Sequence, residues 1–312
     1  MFSIALIQTA LELGLISSLT VLSLFLSYSM LNVCDLSTDG CFTLGACVGA
    51  VVAISGHPYL AIIAAMLAGT LSGFVTAILQ TKMGVDSLLA GIIVNTALYS
   101  VNIALMGNVA LLNMFKTVTV YTILDDALNN YPAIKAFSKI IIAVIAVAAI
   151  LLFLGWFLKI RLGLAIRATG NNPDMVKASS ISPAFTTIVG LCVSNAFTGL
   201  SGALLAQSQK SVSIDIGSGM LTIALASLLI GHTFFGRFGI KIRMVGTVVG
   251  AIIFRFVYML ALRFKMPAYM LKLVSSVIVV LAITLPYLKK KSLVWKRKQQ
   301  VRRQAKDGEL YA

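Results

Sequence analysis

The side chains able to do chemistry in this chain are few, and they sit in apolar surroundings. Glu12, Arg255 and Lys272 are ionisable groups inside long hydrophobic stretches. A charge in hydrocarbon is costly, so such a group faces the protein interior or a water-filled path and takes a partner. Glu12 is the only acid well inside such a stretch, so its expected partner is Arg255 or Lys272. That pair would either fix helix register or line a path for a small zwitterion. Asp35 precedes a glycine-rich apolar run, and Asn95 lies two turns from Asn102 in another. With the three charges, Asp35 and Asn95 complete the candidate path-lining set.

The groups required for catalysis are missing. There is no GxxxxGK[ST] phosphate loop, no GxSxG elbow and no HExxH helix, so the chain is not expected to hydrolyse ATP by itself or to be an enzyme. The four cysteines form no CxxC pair and the two histidines complete no metal site, so no metal or other cofactor is expected here. Energy for any pumping must come from another subunit or from an ion gradient.

Those residues must be positioned by a membrane-embedded scaffold. The 312 residues are 59% hydrophobic and 11% charged, against about 25% charged in soluble domains. The net charge of +15 gathers in short loops and in the tail after Pro286. That distribution sets orientation in a bilayer and makes no nucleic-acid footprint. About nine candidate spans follow, at 4–31, 41–55, 58–79, 87–106, 140–158, 184–206, 221–235, 244–264 and 267–288, the second and seventh being short. The fold class is therefore all-α, a polytopic transmembrane helix bundle. Residues 1–288 form the membrane domain and 289–312 a basic cytoplasmic tail. The first stretch has no basic start or cleavage site and reads as a retained span. Counting back from the tail puts the loops bearing Arg237, Lys241 and Arg243, and Lys82, inside. Residues 107–139 then lie outside and hold a short surface helix. Gln207, Gln209 and Asp215 also fall at the outer face.

The two halves, 1–106 and 184–288, look alike. Each has an Asp-led turn (Asp35, Asp215), a glycine and a short apolar run. Each then has GTxxG, at Gly69–Gly73 and Gly246–Gly250. Running in opposite directions, they would make an inverted repeat, common in transport proteins. Gly45 and Gly49, Gly69 and Gly73, and Gly246 and Gly250 are spaced for close helix packing in lipid, within one subunit or between two.

The most polar internal segment is 159–183, with Lys159, Arg161, Arg167 and Lys177 against the single acid Asp174. Its basic bias places it in the cytoplasm. Asn172 is a helix cap, Pro173 fits the first helical position and Asp174 suits the positive end of the dipole. Met175, Val176, Ala178 and Ile181 give an apolar edge, and Pro183 is expected to stop the helix.

This segment, GLAIRATGNNPDMVKASSIS, resembles the cytoplasmic coupling segment of permeases in the branched-chain amino-acid and monosaccharide importer family, the membrane subunits of ABC transporters. Gly163, Arg167, Gly170, Asn172, Pro173, Ala178 and Ile181 fall on the family pattern. Asp174 and Met175 complete the implied ATPase-coupling set. CDLSTDGCFTLGACVGA is similar to the family's second membrane segment. IALASLLIGHTFFGRFGIKIRMVGTVVGA is similar to its late glycine-rich one, except that His232 stands where a second glycine is common. The resemblance implies a type II-like ABC importer permease in the bacterial cell membrane. It implies a second permease subunit, two cytoplasmic subunits carrying ATP and Mg, and an extracellular substrate-binding protein. The segment around Asp35 looks nearer the amino-acid branch, for aromatic or branched-chain substrates, with a sugar or nucleoside still open. An ion-gradient-driven transporter is the alternative outside this family.

Overall fold

A computed structural model describes residues 4–129 and 137–263, with single positions at 135, 273, 276, 277, 280 and 284. The first eight expected stretches coincide with helices. Of the ninth only single positions are described, and Lys272 and the basic tail lie outside the described residues. Helix α1 (Ile4–Leu24) passes without a break into a π-helical turn (Phe25–Met30). After a turn come α2 (Thr38–Ile54), α3 (Pro58–Thr81) and α4 (Ser87–Leu105). A short strand β1 (Leu111–Asn113) and α5 (Val120–Ala127) precede α6 (Ser138–Phe157). Two small helices follow, α7 (Arg161–Asn171) and α8 (Pro173–Ala178), then the long α9 (Pro183–Gln209). Strand β2 (Ser211–Ser213), α10 (Met220–Phe235) and α11 (Ile240–Arg263) complete the described order.

Among the described residues, six helices are long and apolar enough to cross a membrane, and α2 and α10 are shorter apolar helices. At about 1.5 Å per residue, helices of this length fall short of a hydrocarbon core of about 30 Å. Exposure separates the long helices. In α1 and α9, 78% of the apolar window is buried, against 28% in α4 and α6. The outer helices present Leu67, Leu71, Leu89, Ile145, Leu152 and Trp156 on their free faces, a surface suited to lipid and not to water.

The central helices are dressed in small residues because other backbones lie against them. A Cβ on Gly45 would fall on the backbone of Gly199, one on Gly69 on the Asn195 carbonyl, and one on Gly73 on that of Leu191. Gly49 faces Ala203, Gly250 the Ser227 carbonyl and Gly246 the Phe235 ring. All six glycines of the sequence pattern thus meet helices of the same chain. Hydroxyls add bonds between α1 and α9. The Ser23 and Ser194 hydroxyls lie 2.8 Å apart, Thr198 donates to Ser23 (2.8 Å), and Ser201 donates to the Ile16 carbonyl (2.7 Å).

Packing crosses between the halves. Helix α9 packs chiefly on α2 and α3, while α1 packs on α11 and α10. The junction is pinned by Asp39 of α2, whose carboxylate accepts from the N–H groups of Gly219 (3.0 Å) and Leu221 (2.7 Å). One half therefore caps the short helix of the other, satisfying donors that a helix start leaves open. Strands β1 and β2 pair antiparallel, Leu111 opposite Ser213, and tie the loop after α4 to the loop after α9. The sequence reading anticipated a surface helix in 107–139 but not this pair. α5 is that helix, capped by Thr119 and Thr122 in reciprocal hydrogen bonds.

The contact at Gly199 gives a direct test. A Cβ there would strike the Ala65 carbonyl, whereas at Gly155 it would meet only Met244 Cε at 3.6 Å. Gly199→Val is expected to cost about 1–3 kcal/mol through overpacking, seen as a lowered melting temperature in detergent. Gly155→Ala is expected to leave it unchanged or slightly raised, because alanine favours helix.

Candidate functional site

Two features carry the polar chemistry: a foot built from α7 and α8, and a polar cavity between α2, α4 and the turn before α10. In the foot, the Asn172 side-chain oxygen accepts from the N–H groups of Asp174 and Met175, both at 3.1 Å, with Pro173 at the first helical position. The helix ends at Ala178, and Ser180 takes a left-handed conformation with φ 60°. Contrary to the sequence reading, Pro183 does not stop it. Pro183 opens α9, where Ser182 caps the Phe185 N–H at 3.4 Å, because proline fits a helix start where its missing N–H costs nothing.

The apolar edge of α8 divides. Val176 is buried, while Met175, Ala178 and Ile181 are exposed with Phe185. The foot is nevertheless held firmly to the body. Gly163 lies against the Phe157 carbonyl and Gly170 against the backbone of Met30 and Leu31, where any Cβ would clash. Ile166 is fully buried and the Thr169 and Thr186 hydroxyls lie 2.8 Å apart. The glycine at 170 thus sets the foot directly on the π-helical end of α1. Irregular turns of that kind recur at functional sites.

The basic loops share this end of the molecule. A hydrogen bond and the like charge of Lys241 hold the Lys159 ammonium below its usual value. Arg243 lies 2.7 Å from His232 Nε2 and donates to Ser29 Oγ (3.0 Å). His232, the departure from the expected glycine, therefore packs as an arginine partner.

Glu12 and Arg255 do not pair with each other, and the alternative partner Lys272 lies outside the described residues. Glu12 accepts a hydrogen bond from Ser208 and forms an ion pair with Lys139 at 4.0 Å. Arg255 is buried; its Nε donates to Ser17 Oγ (3.4 Å), and its guanidinium lies over the Tyr258 ring at 5.8 Å. Positions 12 and 17 differ by about 140° around a helix of 100° per residue, so the two charges address different faces of α1. Tyr121 of α5 packs beside Glu12, and burial followed by that negative charge pushes its phenol up. Gln207, expected at the outer face, is fully buried; it accepts from the Val120 N–H (3.0 Å) and donates to the Pro58 carbonyl (3.3 Å).

Asp35 is also withdrawn from any path. It is 1% exposed, and its carboxylate accepts from the Ser37 N–H (2.9 Å) and hydroxyl (2.6 Å) and from Asn195 Nδ2 (2.7 Å). It clasps the start of α2 to the middle of α9. Asn195 was invisible to sequence reasoning, since nothing in its local context distinguishes it from other polar residues of that span.

Asn95 does line open space. The cavity measures about 420 Å³, and its wall includes Asp39, Asn95, Tyr99, Asn102, Asp215 and Ser218. Asn102 is buried and donates to the Gly40 carbonyl (3.2 Å), while its own Oδ1 has no partner. Among the described residues, no group of three or more His, Cys, Asp or Glu is gathered to hold a metal ion.

Comparison with known proteins gives the family. The family model described as "Branched-chain amino acid transport system / permease component" matches residues 6–283. The chain is 32% identical over 270 residues to the tyrosine transport system permease protein of Clostridioides difficile, covering 86% of each chain. It is 34% identical over 231 residues to an uncharacterised protein of Rickettsia prowazekii, covering 73% of this chain and 77% of that one. It is 30% identical over 208 residues to the D-allose transport system permease protein of Escherichia coli, covering 59% of this chain and 61% of that one. No solved structure matches. Taken with its long apolar helices, these matches make the chain a multi-pass membrane protein belonging to the permease family of branched-chain amino-acid transport systems.

Proposed function

We propose that this chain is the translocation subunit of an ATP-driven importer for a small polar solute, an aromatic or branched-chain amino acid. The observation that carries this reading is the foot. An Asn172-capped helix presents Met175, Ala178 and Ile181 outward, and Gly170 seats the segment on Met30 and Leu31. Exposed apolar side chains beside a cluster of lysines and arginines suit a protein partner. In this family that partner is the subunit that binds ATP and Mg. A second permease copy, two such ATP-binding subunits and an extracellular substrate-binding protein complete the assembly.

The topology is nine spans with an inverted repeat, the foot and C-terminus cytoplasmic and the β1–β2 pair outside. Three observations support it. Lys159 and Lys241 meet at one end, β1 and β2 join the two opposite loops, and α1 and α9 each pack on the short helix and GTxxG helix of the other half. Force from ATP binding enters at the foot, crosses Gly170 to the π-helical end of α1, and reaches α2 through the turn held by Asp35 and Asn195. An ion-gradient mechanism has less to work with, since Glu12 is bonded to Ser208 and Lys139. The D-allose relative keeps a sugar as the second reading for substrate.

The test is uptake by the reconstituted complete system. ATP-dependent accumulation of L-tyrosine or another large neutral amino acid is expected. Accumulation of D-allose instead would move the chain to the sugar branch, and uptake by the purified chain alone on a proton or sodium gradient would overturn the ATP-driven reading. Met175→Asp combined with Ile181→Asp is expected to release the ATPase subunit during copurification. Gly170→Val is expected to lower solute moved per ATP hydrolysed by about tenfold, within the usual range of coupling energies, while basal ATP hydrolysis continues.

A further inference from the structure

The geometry points to the cavity between α2, α4 and the turn before α10 as a binding site for the protonated amine of the transported solute, with Asp215 as the recognising carboxylate. This rests on the reading of the chain as a permease and names the site and the chemical class it selects. The cavity, about 420 Å³, falls within the usual range for small-molecule sites. Its described lining contains two carboxylates, two amides, several hydroxyls and one aromatic ring, with no Lys, Arg or His. An anion entering it would be repelled, whereas a cation would be attracted.

The two acids have different roles. Asp39 is occupied, with its carboxylate capping α10 through Gly219 and Leu221. Asp215 is exposed to the cavity, and its carboxylate has no hydrogen bond or ion pair among the described residues. A second observation is independent of the acids. Asn102 is only 1% exposed, yet its Oδ1 has no partner. A buried acceptor left unbonded is costly and uncommon, and a donor-rich ligand supplies what it lacks. Asn95, on the same face of α4, has no hydrogen bond among the described residues either, and its Oδ1 is brought toward α2 by the absence of a side chain at Gly40. An ammonium group offers three N–H donors and no acceptor. It matches a free carboxylate and unsatisfied amide oxygens, as a hydroxyl-rich neutral solute does less well. Tyr99, half exposed in the same wall, adds an aromatic ring, a group that attracts cations.

The experiment uses the full chain in phosphatidylcholine nanodiscs, titrated by calorimetry with three probes. Tyramine carries the amine without the carboxylate, 3-(4-hydroxyphenyl)propionate the carboxylate without the amine, and L-tyrosine both. Tyramine and L-tyrosine are expected to bind and the propionate to bind at least about tenfold more weakly, the scale of one charged hydrogen bond. Asp215→Asn is expected to weaken tyramine by a similar factor and Asp215→Glu to restore it. The Asp215 side chain is exposed and unbonded, so neither variant disturbs folding, which melting temperature checks. Equal binding of the propionate, no binding of tyramine, or tyramine binding unchanged in Asp215→Asn would each overturn the site. Uptake by the complete system separates this from the functional reading. If the wild type imports L-tyrosine and Asp215→Asn does so at an equal maximal rate, the site is wrong and the permease reading stands. If the wild type imports no amino acid while tyramine binding still depends on Asp215, the substrate assignment is wrong and the amine site stands.

Discussion

The close backbone contact along α9 is the constraint on which the rest of the structure depends. Lipid offers no hydrophobic drive between helices, so association rests on van der Waals contact and interhelical hydrogen bonds. Gly199 and Gly202 of α9 lie against the carbonyls of Ala65 and Phe42, and Gly45, Gly69 and Gly73 reciprocate from α2 and α3. With the helices this close, the hydroxyls of Ser23, Ser194 and Thr198 come within bonding distance, and Asn195 reaches Asp35. A larger residue at any of these glycines would separate the helices and leave those polar groups without partners. Packing and polar satisfaction are thus one requirement met by the same small residues.

That central contact also decides where irregular structure can lie. Most of the π-helical end of α1 and the start of α2 are buried, while the turn between them comes to the surface at Asn32, with φ 58°. The buried part of this irregular backbone is tolerated because protein groups satisfy it. Ser37 and Asp35 do so on one side, and Asp39 performs the same service for α10 on the other. The breaks therefore sit where the halves meet, between the foot at one end and the polar cavity at the other.

The charges follow a similar logic of local satisfaction. Glu12 of α1 and Arg255 of α11 address different faces of α1 and are served separately, one by Ser208 and Lys139, the other by Ser17 and the Tyr258 ring. Both stabilise helix contacts, and neither lines the cavity. Its polar character comes instead from Asn95, Tyr99 and Asn102 on α4 and from Asp215 beyond α9. The residues costliest to bury are held by partners within the bundle, and those left open to the cavity are mostly neutral.

Much was legible in the residues alone. Hydropathy located the eight described apolar helices, because a run of about 20 apolar residues has few other folded uses. Asn172-Pro173 marked the foot, because capping is a local interaction needing only the next three residues. The glycine spacings marked close packing, because the requirement for small size repeats every helical turn. Partnership across the fold was decided only in three dimensions. The expected Glu12–Arg255 pair failed on helix phase, Asp35 proved to be a clasp because Asn195 lies 160 residues away, and Pro183 opened a helix instead of closing one. The β1–β2 pair and the cap from Asp39 to Gly219 were unreadable for the same reason. Local preference is written in neighbouring residues, whereas the choice between equivalent polar partners depends on which backbones are brought together, and that is a property of the packed bundle.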